Sequence, residues 1–90
     1  MSNPLSYQER IRQKLTAAFD PISLEIKDDS AKHAGHAGYD PKGETHFSVK
    51  IVSKKFNGLS SVARHRLVYE VLSDEIEERV HALSLATSVP

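Results

Sequence analysis

Along the first twenty residues, Ile11, Leu15, Ala18 and Phe19 recur at helical spacing, with Arg10, Gln13 and Lys14 on the other side. That pattern predicts an amphipathic helix from Tyr7 to Phe19. Ser6 and Glu9 supply its start: the serine hydroxyl can accept from the Glu9 amide while the glutamate reaches back to the Ser6 amide. Pro21 stops the run. The period then changes to two. Ile22, Leu24 and Ile26 alternate with Ser23, Glu25 and Lys27, and Phe47, Val49 and Ile51 alternate with His46, Ser48 and Lys50. Two half-buried strands are predicted, the second over Thr45–Ser53. Asp28, Asp29 and Ser30 end the first, and Asn57-Gly58 marks a turn. Val62, Leu67, Val68, Val71, Leu72 and Ile76 then form an apolar stripe, predicting a helix from Ser60 to Glu77 with a break allowed near its start. His81, Leu83 and Leu85 share parity in a last strand, Val80–Thr87. The order α-β-β-α-(α)-β predicts an α+β domain, a three-stranded sheet with helices packed on one face.

Composition narrows the setting. Residues 1–90 read as one domain, with residues 1–5 and 88–90 expected to be flexible. The chain has no cysteine, which excludes disulfides, a thiol nucleophile and cysteine-only metal sites. No apolar run approaches the roughly 18 residues needed to span a bilayer, and MSNPLSYQER contains no secretory h-region. The expectation is a soluble, cytoplasmic chain, mitochondrial or plastid only if a transit peptide has been removed. A formal net charge of zero argues against global attraction to phosphate. Locally the charges segregate: Lys50, Lys54, Lys55, Arg64 and Arg66 lie in a stretch without an acid, and Glu70, Asp74, Glu75, Glu77 and Glu78 follow without a base.

Two features carry chemistry. The stretch KHAGHAGYDPKGETH holds His33, His36 and His46, three of the five histidines, and three of the four glycines. It makes most of a loop over residues 28–44, far longer than the 2–5 residues of an ordinary hairpin connection. A solvated loop, half of a metal site and a nucleic-acid contact all fit its composition. The second feature is basic: Lys50, Lys54, Lys55, Arg64, His65 and Arg66 gather where a turn enters a helix, a place suited to phosphates. Alternatively, Arg64, His65 or Arg66 holds that helix to the sheet or the loop. Catalysis finds little support, because His65 with Ser60 or Ser61 lacks an orienting group and an oxyanion motif. The chain reads as non-enzymatic.

Taken in order, GETHFSVKIVSKKFNGLSSVARHRLVYEVLSDEI, then VHALSLAT, preceded by HAGHAG, resemble the BolA family over nearly the whole chain. The resemblance implies a fold like the class II KH domain. It also implies an adaptor that pairs with a monothiol CGFS glutaredoxin and co-ligates a [2Fe-2S] cluster, with glutathione on the partner side, in cluster delivery or iron homeostasis. Bacterial members are DNA-binding transcriptional regulators of stress response and cell morphology, which is the alternative role. Alone, such a chain is expected to be a monomer or weak homodimer, with no membrane partner. The family's cluster ligands are a loop residue and the histidine that opens the last strand. The second is His81. Counting from DDS places the first at His33, and counting back from ETHF comes nearer to His36. Histidine can stand in for cysteine on a cluster iron, so a cysteine-free chain can contribute if its partner supplies thiolates. Zinc on the two loop histidines and His81, with Asp40 or Glu44, is a weaker metal alternative. The turn Phe56-Asn57-Gly58-Leu59 has one glycine where the KH nucleic-acid clamp has two, which favours DNA over RNA as the nucleic-acid partner.

Overall fold

Ser6 caps the first helix as its spacing from Glu9 requires: its Oγ accepts from the Glu9 amide at 3.1 Å. The computed structural model describes residues 5–30 and 43–90. Helix α1 spans Tyr7–Phe19 and ends at Asp20, which takes the left-handed conformation and donates its amide to Thr16 O. Strand β1 is Ser23–Asp28 and β2 is His46–Val52. A 3-10 turn over Lys54–Phe56 follows, then α2 (Ser61–Val71), α3 (Ser73–Glu78) and β3 (Ala82–Ser88). Ser60 caps α2 through Ala63 N. The α+β class and element order are as expected. His33 and His36 lie outside the described residues, as does most of the predicted loop.

The sheet is mixed, in the order β1-β2-β3. β2 pairs antiparallel with β1, Leu24 opposite Ile51 and Ile26 opposite Val49. It pairs parallel with β3, Phe47 opposite Leu83 and Val49 opposite Leu85. A parallel neighbour needs a crossover, and α2 with α3 provide it. Phe47, Val49 and Ile51 are buried against Ile11, Leu15 and Phe19 of α1 and against Val68 and Leu72. Their alternates Ser48 and Lys50 therefore face the helix-free side. Side chains from the helices also engage carbonyls of both edge strands: Gln8 Nε2 donates to Ile26 O at 3.1 Å, and Tyr69 Oη donates to Leu83 O at 3.0 Å. Occupied edge carbonyls blunt a sheet edge against pairing with another chain.

Three expectations change. The second helix breaks at Leu72 (φ −100°, ψ 16°), late rather than near its start, and no glycine or proline announces the break. Val62 and Leu67 are not core, being 59% and 37% exposed. The inward line is instead Arg64, Val68, Leu72 and Glu75, polar at both ends, so a hydrophobicity count shifts the stripe onto its flank. Ile22, 60% exposed, precedes β1 and projects beyond the sheet, although its amide donates to Val52 O.

Glu75 is the least expected member of the interior, at 0% exposed. Its Oε2 meets Arg10 Nη2 at 2.7 Å and its Oε1 meets Lys14 Nζ at 2.8 Å. Arg10 also bridges to Glu78 at 2.9 Å. The hydrogen bond that Lys14 donates to Glu75 outweighs the burial that opposes it and raises the Lys14 pKa. The hydrogen bond from Arg10 lowers that of Glu78. A desolvated carboxylate needs such partners, and they staple α1 to α3. Glu75→Ala removes the staple but leaves two cations able to rehydrate. It is expected to cost about 2–3 kcal/mol, read as a lower urea midpoint, whereas exposed Glu77→Ala should stay within about 0.5 kcal/mol.

Candidate functional site

One end of the sheet collects the end of β1 and the starts of β2 and β3. Asp28 closes β1 and holds both sides of the connection: its Oδ1 accepts from Ser30 N at 2.9 Å and its Oδ2 from Glu44 N at 3.0 Å. Gly43 and Glu44 both have positive φ, 77° and 62°. Glycine suits the first, because a Cβ there would stand 3.2 Å from Asp28 Oδ2. Glu44 accepts a strained conformation that its contacts offset: besides the Asp28 bond, its Oε1 takes the Gln8 amide at 3.1 Å. Burial pushes the Asp28 carboxyl up, but the hydrogen bonds from the Ser30 side chain and amide and the Glu44 amide prevail and lower its pKa.

Thr45 is the hub. It is buried, at 1% exposed, and its amide donates to Ser30 Oγ at 2.9 Å. Its carbonyl accepts the His81 amide at 2.8 Å and the Ala82 amide at 3.2 Å. Its hydroxyl lies 2.8 Å from His46 Nδ1. His81 is exposed and stands just before β3 rather than within it. Arg79, two residues earlier, donates from Nη2 and Nε to Gly43 O at 2.6 and 3.1 Å. The backbone on which residues 31–42 return is thus tied to the backbone that carries His81.

His46 comes beside His81, with ring centroids 6.4 Å apart. The sequence reading placed His46 correctly at the start of β2 but did not bring it to His81. Between the two strands runs a shallow depression of about 270 Å³ lined by Asp29, His46, Phe47, Ser48, Ala82, Leu83 and Ser84. Ser48 Oγ donates to Asp29 Oδ2 at its edge. Thr45, Ser30 and Arg79 were missed because a buried hydroxyl and a carbonyl-binding arginine leave no periodic signal. The one available signal was the adjacency of Thr45 and His46.

The basic residues lie elsewhere and do not form one surface. Lys54 and Lys55 follow the far end of β2, about 20 Å from His46 at roughly 3.3 Å per residue. Lys55 Nζ donates to Ala18 O at 3.1 Å. Arg64 donates to Leu59 O at 3.0 Å and to Thr87 O at 3.5 Å, holding α2 to the preceding turn and to β3, which is the structural role foreseen for it. His65 and exposed Arg66 ride on α2, whereas Lys50 is exposed on the helix-free face.

The matches to known proteins agree with this architecture. The model of the BolA-like protein family matches residues 15–90. The chain belongs to the BolA-like family. It is 49% identical over 83 residues to "Protein BOLA1, chloroplastic" of Arabidopsis thaliana, covering 90% of this chain and 52% of that protein. It is 48% identical over 85 residues to "SufE-like protein 1, chloroplastic/mitochondrial" of the same plant, covering 90% of this chain but 23% of that protein. The chain therefore spans about half or less of these two relatives. The solved BolA domain of the latter superposes with a TM-score of 0.86 at 46% identity, over 98% of this chain and 96% of that one. The Escherichia coli (strain K12) protein named "DNA-binding transcriptional regulator BolA" is 45% identical over 80 residues, covering 89% of this chain and 72% of its own length.

Two outcomes follow for the site. Asp28 has a depressed pKa, so the stability it contributes is present above the ordinary aspartate value near 4 and is lost as pH falls through its folded value. Amide-exchange protection of Ser30 and Glu44 should therefore hold at neutral pH and decline below about pH 4. Arg79→Ala should raise exchange at Glu44 and Thr45 while costing only about 1 kcal/mol in global stability.

Proposed function

We propose that the chain is a non-enzymatic BolA-like adaptor that binds a monothiol CGFS glutaredoxin and shares a [2Fe-2S] cluster with it, in cluster delivery or iron homeostasis. The observation that supports this reading is the setting of His81. Its imidazole is exposed at the sheet's end, while its backbone is pinned to Thr45 beside the point where residues 31–42 return. An imidazole is a competent ligand to a cluster iron, so the donor at this position fits the group. His81 and either His33 or His36 would hold it, and the glutaredoxin's thiolate and glutathione would complete it. The cluster is the cargo. The chain's own part is to present the His81 imidazole from a backbone that Thr45 holds. The pairing requires a compartment that holds such a glutaredoxin, cytoplasmic or organellar.

The test is the visible spectrum of the mixture of this chain, a CGFS glutaredoxin, glutathione, iron and sulfide. His81→Ala should abolish the heterodimer's signature, and the His33→Ala, His36→Ala double variant should weaken or shift it. An unchanged spectrum in both variants would sink the ligand assignment.

A second reading has its own support, the 45% identity to the E. coli DNA-binding regulator. Lys54, Lys55 and the start of α2 lie at the end of the sheet opposite the histidines, so DNA there would not compete with a partner at His81. Lys50 faces another side, and Arg64 is engaged in holding α2. Lys54→Ala with Lys55→Ala should therefore lower the salt slope of DNA binding by about two, and Arg66→Ala by about one. A slope unchanged in all three substitutions removes this face from the contact.

A further inference from the structure

At the end of the sheet away from His81, Ile22, Ser53 and Val89 stand level across the three strands. They lie one step beyond the last paired residues, Ser23 with Val52 and Val52 with Ser88. Backbone bonds fix the alignment: the Ile22 amide donates to Val52 O at 2.8 Å and the Ser53 amide to Ser88 O at 3.0 Å. Ser53, in the middle, is buried. Its Oγ donates to Phe19 O at 2.6 Å and accepts the Lys55 amide at 3.1 Å, while Phe56 anchors the turn that follows in the core. Lys54 leaves this pinned point between two exposed aliphatic side chains, Ile22 at 60% and Val89 at 38%. Lys55 Nζ is engaged at Ala18 O, whereas the Lys54 ammonium has no hydrogen-bond or ion-pair partner among the described residues.

Lys54 lines two depressions. One, of about 200 Å³, is bounded by Phe19, Asp20, Ile22 and Lys55, and the other, of about 350 Å³, by Asn57, Val89 and Pro90. Single exposed aliphatics are ordinary on a surface. Two that flank an unpaired cation, each walling a depression, make an amphipathic patch. Outer strands of a three-stranded sheet are about 10 Å apart, which sets the separation of Ile22 and Val89. Seven residues of helix rise about 10.5 Å and bring positions i and i+7 to one face. An acid at i+3 or i+4 falls between them. We propose that this end of the sheet docks an acidic amphipathic helix of a partner protein, with apolar side chains at i and i+7 in the two depressions and its carboxylate on Lys54. DNA matches the patch less well, because phosphates have no use for Ile22 or Val89 and Asp20 repels one placed beside Ile22. The proposal is independent of the cluster reading at His81 and competes with the DNA reading for Lys54.

The experiment adds a capped helical peptide, with leucines at i and i+7 and a glutamate at i+4, to the full chain. Binding is followed by fluorescence anisotropy and by NMR of the backbone amides. The amides of Ile22, Lys54, Asn57 and Val89 should shift together while that of His81 stays in place. Ile22→Ser should weaken binding about 10-fold and Val89→Ser about 5-fold, and Lys54→Glu about 10-fold. Replacing the peptide's glutamate by glutamine should weaken it about 3-fold. All three substituted side chains are exposed, and the amide spectrum of each variant checks that the core is intact. Equal binding of the glutamine peptide, or no shift at those four amides, would overturn the proposal. Two other occupants would overturn it as well. Duplex DNA in place of the peptide would bind more weakly to Lys54→Glu but equally to Ile22→Ser and Val89→Ser. A second copy of the chain would appear in sedimentation as a dimer that Ile22→Ser or Val89→Ser dissolves.

Discussion

The hydrogen bonds of Thr45 are the constraint on which the histidine end of this protein depends. A threonine at the start of a central strand, buried to 1% exposed, must place an amide, a carbonyl and a hydroxyl without help from bulk water. All three are placed. The amide goes to Ser30 Oγ, the carbonyl to the amides of His81 and Ala82, and the hydroxyl to Ser30 and His46. Leaving one such group unmet costs about 1–3 kcal/mol, so the three strand ends are held in a single arrangement. The positions of both histidines follow from satisfying a buried polar residue.

The rest of the fold conveys that arrangement from the core. Glu75 anchors α3 to α1 through Arg10 and Lys14, and its carbonyl accepts the amides of Arg79 and Val80. The helix therefore ends at a fixed point. Arg79 then reaches Gly43, Val80 fills the core, and His81 emerges into solvent one residue later. A buried ion network is a poor source of stability, since its desolvation offsets most of its attraction. Its value here is geometric, because it fixes the register at which the chain leaves α3 for β3.

Much of the fold was legible. The period-3.6 run of α1 and the period-2 runs of β1 and β2 correspond to real burial, because each of these elements has one face on the core and one in water. The capping box at Ser6 marked a true helix start, and the second helix, expected from Ser60, starts at Ser61 with Ser60 as its cap. Legibility failed where burial was not apolar. Arg64 and Glu75 occupy the inward line of α2 and α3, so a hydrophobic count moved the stripe onto exposed Val62 and Leu67. Of the site, family resemblance pointed to His81. The meeting of His46 with His81 was hidden, because it is made by strand pairing between distant segments and a hydroxyl relay. Neither leaves a periodic mark.

Separation of the two chemistries along β2 has a physical consequence. His46, His81 and Asp28 lie where β2 begins, and Lys54 and Lys55 lie where it ends, about 20 Å apart at strand rise. That distance exceeds two Debye lengths at physiological salt, about 8 Å each. Charge brought to one end is therefore screened from the other, and occupancy of the two ends is electrostatically independent. Any coupling between the two ends must pass through the sheet itself. β2 is its most rigid element, with Phe47, Val49 and Ile51 all buried. The two ends of β2 are thus electrostatically independent, and only a displacement of the strand itself could link them.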